Sequence, residues 1–439
     1  MSRFDNLSSW LNWLEALHPK SIDLGLERVY TVATQLNLLK KSSSISHSFS
    51  GQLNTIDQCK VVTVAGTNGK GSCIATLEET LLEQPLGKKS QYQVGSYTSP
   101  HLHHYCERIR IDGQPVAESL VCDAFSAIDQ ARKAVSLTYF EFGALAALWI
   151  FAQEQVPFVL LEVGLGGRLD AVNIVDADIA VVTSIDIDHQ DWLGSDRDII
   201  SQEKLGVSRP SSPLIITECR LTPSLKAAID RKQCLFVGRD FSFTVLNKKQ
   251  WRFQIQSVDY LLPLPLLPLA SVVAALVVLA QLDRLPDNET LARVMQKLSL
   301  PGRFETSNRK GIDIIYDVAH NPAAAEALAK RLEGSGDGYS KNYAVMGVMA
   351  DKDHSGIIAP LLPQFDSWYL GGLPNIPRAA SETALLKILS ELKGDKVGIF
   401  AESTVENAFD SALAAATSHD RIVIFGSFYT VAAVQNHLV

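Results

Sequence analysis

The chain has 439 residues, of which 46% are apolar and 20% are charged, a composition that excludes an intrinsically disordered protein. Its 27 Gly and 18 Pro exclude a collagen-like or low-complexity chain. The formal net charge of −8 lacks the basic excess typical of nucleic-acid-binding proteins. At roughly 150 residues per domain, the length predicts two or three domains. We therefore expect a soluble globular α/β enzyme.

The cysteines and the apolar segments indicate where the protein is found. Its six cysteines include no C-x-x-C pair, which disfavours a zinc site or a disulfide framework and indicates a reducing compartment. The N-terminus shows no continuous apolar run of a signal peptide. Residues 261–280 are apolar and long enough for a bilayer. However, Pro263, Pro265 and Pro268 interrupt them, so we predict a buried helix over 271–282. We expect a cytoplasmic monomer without membrane or nucleic-acid partners.

In the N-terminal part, short apolar runs alternate with helical patterns. An amphipathic helix is predicted around Trp10–Leu17, and the Ser-rich segment 40–58 is predicted to be a flexible loop. Further helices are predicted from Ser72 onward and over 143–155. Predicted strands cover residues 61–64, 94–97, 158–162, 179–184 and 213–217. This alternation predicts a mostly parallel sheet with helices on both faces.

A second unit is predicted after the Pro-Gly pair at 301–302, which gives domains of 1–299 and 300–439. A helix is predicted over 320–334. Predicted strands cover residues 312–317, 343–348, 368–370, 396–401 and 421–425. The pattern favours a smaller C-terminal Rossmann-like α/β domain.

The strongest local signal is VVTVAGTNGKGSC (61–73), in which a strand, a glycine-rich turn and a helix follow one another. Backbone amides of such a turn and the helix N-terminus bind phosphate. Lys70 would contact the β- and γ-phosphates of ATP, and Ser72 would offer a hydroxyl to Mg²⁺. The spacing departs from G-x-x-x-x-G-K-[ST], because Val64 replaces the first Gly and Gly71 follows Lys70. The predicted ATP-binding residues of the loop are Asn68, Gly69, Lys70, Gly71 and Ser72.

Two side chains near predicted strand ends are candidate metal ligands. Glu162 ends the apolar strand VPFVLLE, at the edge where α/β sheets bind ligands. A second glycine-rich turn follows, and His189 is expected at the end of the next strand. Mg²⁺ prefers oxygen ligands, so residue type alone favours Glu162 over His189. A competing zinc group has spacing that fits a helical site poorly: His101, His103, His104 and Cys106.

The GTNGKGS variant (66–72) resembles the phosphate loop of the Mur ligase superfamily. Other segments resemble signatures of the folylpolyglutamate synthase/dihydrofolate synthase family, in the family's order and across nearly the whole chain. They are IDLGLERV (22–29), YTSPHLHHYCERIRIDG (97–113), TYFEFG (138–143), LEVGLGGRLDAVNIVDADIAVVTSIDIDHQDWLG (161–194), LPGRFE (300–305), YDVAHNP (316–322) and FGSFYT (425–430). The resemblance implies an ATP- and pterin-binding P-loop domain (1–299) and a glutamate-ligase domain (300–439).

The resemblance implies ATP-dependent ligation of L-glutamate to 7,8-dihydropteroate and to reduced folates, through an acyl phosphate. The alternative within the family is folylpolyglutamate synthesis alone. A muramyl ligase would be expected to carry a further domain before the phosphate loop, and Gly66 leaves little room for one. A phosphate-binding switch or folate-binding module without chemistry is disfavoured by the set Lys70, Glu162, His189 and Arg303.

The resemblance also implies metal and catalytic residues. Ser99, Glu162 and His189 match magnesium positions, with two ions expected. Lys204, which by residue type alone is an exposed helix lysine, matches a lysine carbamylated by CO₂ that also holds Mg²⁺. The implied catalytic residues are Lys70, Glu162, His189, Lys204 and His320.

The remaining implied residues contact ATP, glutamate or the pterin. Arg303, Asp317 and Ser271 match nucleotide positions, although the family usually has Asn at 271. His320 and Ser427 are implied for glutamate, and His320–Asn321 for the nucleotide. The pterin-side residues are Thr138, Tyr139, Phe140, Glu141, Leu169, Asp170 and Ala171. The two aromatic rings can stack on a pterin, unless Phe140 is a core residue, and Asp170 can accept hydrogen bonds from its amino-pyrimidine edge.

Overall fold

The computed structural model describes residues 2–39, 55–84, 93–335, 338–393 and 398–438. The chain divides into two compact units, Met1–Leu298 and Ser299–Val439. Residues 40–54 of the predicted Ser-rich loop and residues 396–397 of a predicted strand lie outside the described residues.

The described part of the first unit contains a mostly parallel eight-stranded sheet. Its strands are β1 (Lys60–Ala65), β2 (Val94–Tyr97), β3 (Ile109–Ile111), β4 (Gln114–Pro115), β5 (Phe158–Glu162), β6 (Ile179–Val182), β7 (Leu214–Ile216) and β8 (Cys234–Phe236). The order is β4-β3-β2-β5-β1-β6-β7-β8, and only β3 and β4 run antiparallel to their neighbours. Every residue of β5 is buried, as expected where helices cover both faces. The predicted sheet class is confirmed.

The helices of the first unit surround this sheet. They are α1 (Leu7–Leu17), α2 (Glu27–Gln35), α3 (Lys70–Leu82), α4 (Glu118–Arg132), α5 (Tyr139–Gln153), α6 (Gln190–Leu193), α7 (Arg197–Leu205), α8 (Pro223–Ile229), α9 (Leu269–Gln281) and α10 (Asn288–Lys297). Short 3₁₀ turns lie at Ile56–Gln58, Tyr105–Arg108 and Ala171–Ile174. The predicted buried helix is confirmed as α9, whose residues from Ser271 to Leu279 are buried. No described helix is long and apolar enough to cross a membrane.

A small antiparallel sheet was not predicted from the sequence. Its strands are β9 (Phe241–Val245), β10 (Gln250–Ile255) and β11 (Val258–Pro263). Trp251 pairs with Leu262, and Phe253 pairs with Tyr260, which gives the sheet one buried face. The alternation of buried and exposed residues along β10 is the sequence signal for this hairpin.

The second unit has a six-stranded sheet within its described residues. Its strands are β12 (Arg303–Arg309), β13 (Ile312–Asp317), β14 (Asn342–Met346), β15 (Ser367–Gly371), β16 (Gly398–Glu402) and β17 (Arg421–Phe425). The order is β12-β13-β17-β14-β15-β16, and only β12 is antiparallel to its neighbour. The helices are α11 (Pro322–Gly334), α12 (His354–Ile358), α13 (Glu382–Lys393), α14 (Val405–Ala415) and α15 (Phe428–His437), with a 3₁₀ turn at Ala359–Gln364. The expected α/β class is confirmed, and β12 was missed.

Candidate active site

The glycine-rich loop between β1 and α3 depends on two glycines. Gly66 has φ +156°, and Gly69, at the N-cap of α3, has φ +86°. The second value lies in the left-handed region that glycine adopts without a Cβ penalty. A Cβ atom at Gly66 would overlap Thr183 Oγ1, and one at Gly69 would overlap Ser271 Oγ. The two glycines therefore allow close packing of the loop, and Ser271 lies beside it.

The segment after β6 holds the same loop in place. Thr183 Oγ1 and Ser184 Oγ donate to the Asn68 carbonyl oxygen at 2.7 and 3.0 Å. The Asn68 amide donates back to Ser184 Oγ at 2.9 Å, and the Thr67 amide donates to the Ser184 carbonyl at 2.8 Å. Because β1 and β6 are parallel neighbours, their carboxyl ends supply both halves of this contact.

Lys70 and Ser72, the predicted phosphate and metal contacts, lie at the start of α3. Lys70 Nζ donates to the carbonyl oxygens of Gly66 and Thr67 at 3.0 and 3.3 Å, which keeps the ammonium over the loop. Ser72 is 1% exposed, and its Oγ has no hydrogen-bond partner among the described residues. A buried hydroxyl without a partner costs about 1–3 kcal/mol, so Ser72 is suited to a ligand at the loop.

Two predicted metal residues are brought together at the ends of β2 and β5. The Ser99 amide donates to Glu162 Oε2 at 3.3 Å, and Glu162 is 5% exposed. The two strands are parallel neighbours, which places Ser99 beside the end of β5. No group of three or more His, Cys, Asp or Glu side chains that could hold a metal ion occurs in the described parts of the chain.

His189 lies in a different position from the one expected. It is exposed, has φ +51° and forms the N-cap of α6, well beyond the end of β6 at Val182. The expectation that His189 ends a strand was wrong, because the pairing of β6 with β7 stops at Val182 and Ile216. The intervening residues form a loop, in which the His189 amide donates to Asp188 Oδ1 at 2.8 Å.

Lys204 is buried on α7, with 4% of its surface exposed. The alternative interpretation as an exposed helix lysine was wrong. Burial, reinforced by the charge of Lys70, lowers the pKa of the Lys204 amine to about 7, while Asp188 and Asp170 oppose the shift. A substantial fraction of the amine is therefore neutral near neutral pH. The amine is also close enough to the phosphate-loop residue Lys70 for the two charges to repel each other.

Thr138 and Glu141, from the predicted pterin segment, cap α5. The Glu141 amide donates to Thr138 Oγ1 at 3.2 Å, and the Thr138 amide donates to Glu141 Oε2 at 2.7 Å, which forms a capping box. Glu141 is buried and also pairs with Arg28 at 2.9 Å. Tyr139 and Phe140 are half-buried, and Phe140 packs 5.8 Å from the ring of Tyr97.

Asp170, from the second predicted pterin segment, is bonded to the backbone. Its Oδ2 accepts from the amides of Gly164 and Leu165, both at 2.9 Å, and its Oδ1 accepts from the Val172 amide at 3.1 Å. Burial raises the pKa of Asp170 to about 6, and these hydrogen bonds oppose the rise. Its neighbour Leu169 is half-buried, and Ala171 is buried.

Arg108 is a functional candidate that the sequence analysis missed. Its Nε donates to His101 Nδ1 at 2.8 Å, and its guanidinium carbon lies 5.5 Å from the ring centroids of both Tyr105 and Tyr139. Burial lowers the pKa of His101 to about 4, with Arg108 adding to the shift. The His and Cys residues of this segment had suggested a metal site, and no sequence pattern singles out Arg108.

In the second unit, Phe428 links two predicted site residues. The Arg303 guanidinium lies 4.9 Å from the Phe428 ring centroid, and the His320 ring lies 6.4 Å from it. Asp317 accepts from the amides of Phe304 and Ala319, both at 2.9 Å, and burial raises its pKa.

Ser427 and Asn321 of the second unit are helix caps. Ser427 is buried at the N-cap of α15 and accepts from the Thr430 amide at 3.0 Å. Asn321 caps α11 by accepting from the Ala324 amide at 3.0 Å. Each side chain therefore stabilises the start of a helix at the carboxyl end of a strand.

Comparison with known proteins first defines a class. Residues 302–428 match the family model described as Mur ligase, glutamate ligase domain. Together with the phosphate loop of the first unit, this match indicates a Mur-type ATP-dependent ligase.

Relatives along the whole chain then define the family. The dihydrofolate synthase/folylpolyglutamate synthase of Escherichia coli strain K12 is 41% identical, over 98% of this chain and 94% of the relative. The Haemophilus influenzae protein of the same name is 37% identical, over 97% of this chain and 96% of that protein. The chain belongs to the dihydrofolate synthase/folylpolyglutamate synthase family.

Solved structures agree with this assignment. The structure of E. coli FolC in complex with DHPP and ADP superposes with a TM-score of 0.87 at 39% identity, and the match covers 100% of this chain and 99% of that one. A bifunctional folylpolyglutamate synthase/dihydrofolate synthase with Mn, AMPPNP and L-glutamate bound gives a TM-score of 0.84 at 40% identity, with 100% and 99% coverage.

Proposed function

We propose that the protein is an ATP-dependent acid–amino-acid ligase that joins L-glutamate to 7,8-dihydropteroate, giving dihydrofolate, and to reduced folates, giving folylpolyglutamates. One observation carries the proposal: the phosphate loop after β1 and the Ser99–Glu162 contact after β2 and β5 meet at one edge of three adjacent parallel strands. Relatives with this fold bind ADP with DHPP, and AMPPNP with Mn and L-glutamate.

The reaction needs activation because a carboxylate is a poor electrophile. An oxygen of the acceptor carboxylate attacks the γ-phosphorus of ATP, the bond to the β-phosphate oxygen breaks, and ADP leaves with that electron pair. The glutamate amine then attacks the acyl carbon, and inorganic phosphate leaves as the amine loses a proton. Lys70 and the loop amides bind the phosphates and stabilise charge that develops during transfer.

A divalent cation fits the residues at this edge. Glu162 offers a buried carboxylate and Ser72 a buried hydroxyl without a partner in the described structure, and such oxygen donors suit Mg²⁺. We propose Ser99, Glu162, His189 and Lys204 as the residues that hold it, and we propose that two ions bind. When bound, the metal would neutralise phosphate charge. This chain's own residues then orient the acceptor and exclude water.

Lys204 is proposed to be carbamylated. Its burial and the neighbouring Lys70 charge disfavour an ammonium there, and the neutral amine is the form that reacts with CO₂. The amine nitrogen bonds to the carbon of CO₂ and releases a proton to solvent, which leaves a carbamate anion. The side chain thereby changes from one that repels a cation to one that can hold it.

We propose that the segments 138–141 and 169–171 bind the pterin, although three of their side chains do so indirectly. Tyr139 and Phe140 supply half-buried aromatic surface to a pterin, together with Leu169 and Ala171. The side chains of Thr138, Glu141 and Asp170 act through the backbone that they fix. In the second unit, Arg303, Asp317, His320 and Ser427 are proposed for the nucleotide and glutamate. We also propose that the protein is a cytoplasmic monomer.

The test is ADP release and product mass with ATP, Mg²⁺, L-glutamate and either 7,8-dihydropteroate or tetrahydrofolate. Both acceptors are expected to give ADP and a product one glutamate heavier, and omission of glutamate is the control for idle ATP hydrolysis. Turnover with tetrahydrofolate alone would reduce the function to folylpolyglutamate synthesis. No ADP with either acceptor would refute the proposal.

A further inference from the structure

Two buried tyrosine hydroxyls of the first unit point to the same place. Tyr97 is 0% exposed and Tyr105 is 4% exposed. The Tyr105 hydroxyl has no hydrogen-bond partner among the described residues, and the Tyr97 hydroxyl interacts with the side chain of Arg108. A Cβ atom placed on Gly143 of α5 would lie 2.6 Å from Tyr105 Oη and 2.9 Å from Tyr97 Oη. The two donors therefore converge beside α5, where the glycine leaves space.

Arg108 adds a positive charge to this cluster. Its guanidinium donates through Nε to His101 Nδ1 at 2.8 Å and also interacts with the Tyr97 hydroxyl. Within the residues that the structure describes, Arg108 forms no ion pair with a carboxylate. The rings of Tyr105 and Tyr139, each 5.5 Å away, hold the guanidinium by cation–π contacts. A half-buried arginine with unused N–H donors and no acidic partner favours an external anion.

The cluster lies between two parts of the proposed site. Tyr139 is the first residue of α5 and belongs to the proposed pterin segment. On the other side, the Arg108 carbonyl accepts from the Thr98 amide at 2.9 Å, next to Ser99, whose amide contacts Glu162. The carboxylate of a pterin-containing acid has to lie between the pterin and the phosphate-transfer site, so it would pass Arg108.

We propose that Arg108 binds the carboxylate of the acceptor that is to be phosphorylated, and that Tyr105 and Tyr139 fix the guanidinium for this contact. This proposal rests on the proposed function, and Arg108 is not among the residues already assigned to that function. Its physical role is to offset the repulsion between the acceptor carboxylate and the phosphates of ATP, since opposite charges attract strongly where water is excluded. The planar guanidinium also matches a carboxylate in two parallel hydrogen bonds.

A double-mutant cycle between protein and ligand tests the contact directly. The dissociation constants of 7,8-dihydropteroate and of its uncharged benzamide analogue are measured by calorimetry, with ADP and Mg²⁺ present, for the wild type and Arg108→Met. We expect the wild type to prefer the acid over the amide by at least tenfold more than Arg108→Met does, as found for close charge pairs. An equal acid-to-amide ratio in the two proteins would overturn the assignment.

Two further variants keep the test decisive. Arg108→Lys retains the charge without the planar fork, so it should keep part of the acid preference, and it replaces Arg108→Met in the cycle if that variant does not fold. Lys226→Ala removes an exposed cation on α8 and should leave the ratio unchanged. If the wild type binds neither ligand, the proposed function fails as well. Binding with an unchanged ratio overturns only the role of Arg108.

Discussion

The carboxylate of Asp170 accepts hydrogen bonds from the amides of Gly164 and Leu165, and so joins the two ends of the glycine-rich turn that follows β5. Its other oxygen accepts from the Val172 amide and begins the next 3₁₀ turn. Three of its acceptor positions are therefore used within the protein. From the sequence, the same carboxylate was expected to accept hydrogen bonds from a pterin edge.

Asp170→Ala is predicted to affect both reactions. Three backbone amides lose a buried acceptor, so the free energy of unfolding should fall by about 2–3 kcal/mol. The values of kcat/KM for dihydropteroate and tetrahydrofolate should fall by similar factors, since the turn itself is loosened. Urea unfolding and steady-state kinetics measure the two effects. A selective loss with dihydropteroate and unchanged unfolding would instead support direct pterin binding.

Lys70→Ala should abolish most turnover and leave the fold intact. Among the described residues, the ammonium donates to two loop carbonyls. Its loss removes a contact to phosphate charge worth roughly 3 kcal/mol or more in the transition state. A rate decrease of about a hundredfold or greater is expected in an ADP-release assay. Lys226→Ala is the matched control. A Lys70→Ala rate within a factor of about three of the wild type would contradict the phosphate-loop role.

Glu162→Gln should raise the concentration of Mg²⁺ needed for half-maximal activity. The amide keeps an acceptor for the Ser99 N–H group, but it is a weaker ligand for a hard cation than a carboxylate. A Mg²⁺ titration of the steady-state rate measures the shift, and Glu118→Gln on the exposed start of α4 is the control. An identical titration curve and rate would exclude Glu162 from the metal site.

Activity should depend on CO₂ through Lys204, and the dependence should grow with pH. The pKa of the amine is lowered to about 7, so its neutral, CO₂-reactive fraction is small at pH 6 and large at pH 8. Enzyme in CO₂-free buffer should regain more activity on addition of bicarbonate at pH 8 than at pH 6. Intact-mass measurement should show one added CO₂, and small carboxylates should rescue Lys204→Ala. Full activity without CO₂ at pH 8 would refute the modification.

The parallel core was predictable because its strands are short, buried apolar runs. Four predicted strands, over 94–97, 158–162, 312–317 and 421–425, match the structure at both ends. The small β9–β11 sheet was missed because the end of β11 (Val258–Pro263) overlaps the proline-interrupted apolar run 261–280, which suggested a different element. The strand β12 was missed because it is largely exposed and polar, and tertiary pairing with β13 determines its conformation.

Site residues were predictable where a motif requires a particular residue type. They were unpredictable where tertiary packing determines the burial and the neighbours of a side chain. The glycine pattern of residues 66–72 identified the phosphate loop, since only glycine fits against Thr183 and Ser271. By contrast, residue type suggested that Lys204 is exposed, and only the fold shows that it is buried. The importance of Arg108 depends on the absence of a carboxylate near it in the described structure, which a sequence cannot show.

The order of strands also separates two kinds of evolutionary change. The nucleotide-side contacts come from the carboxyl ends of β1 and β6, while Arg108, Phe140 and Asp170 come from segments around β2 and β5 on the other side of β1. Because each segment is anchored to its own strand, mutations after β2 or β5 that spare Ser99 and Glu162 can reshape the acceptor side without altering the phosphate loop. Members of such a family can therefore diverge in the acid to which they add glutamate, while the phosphate loop that activates the acid stays unchanged.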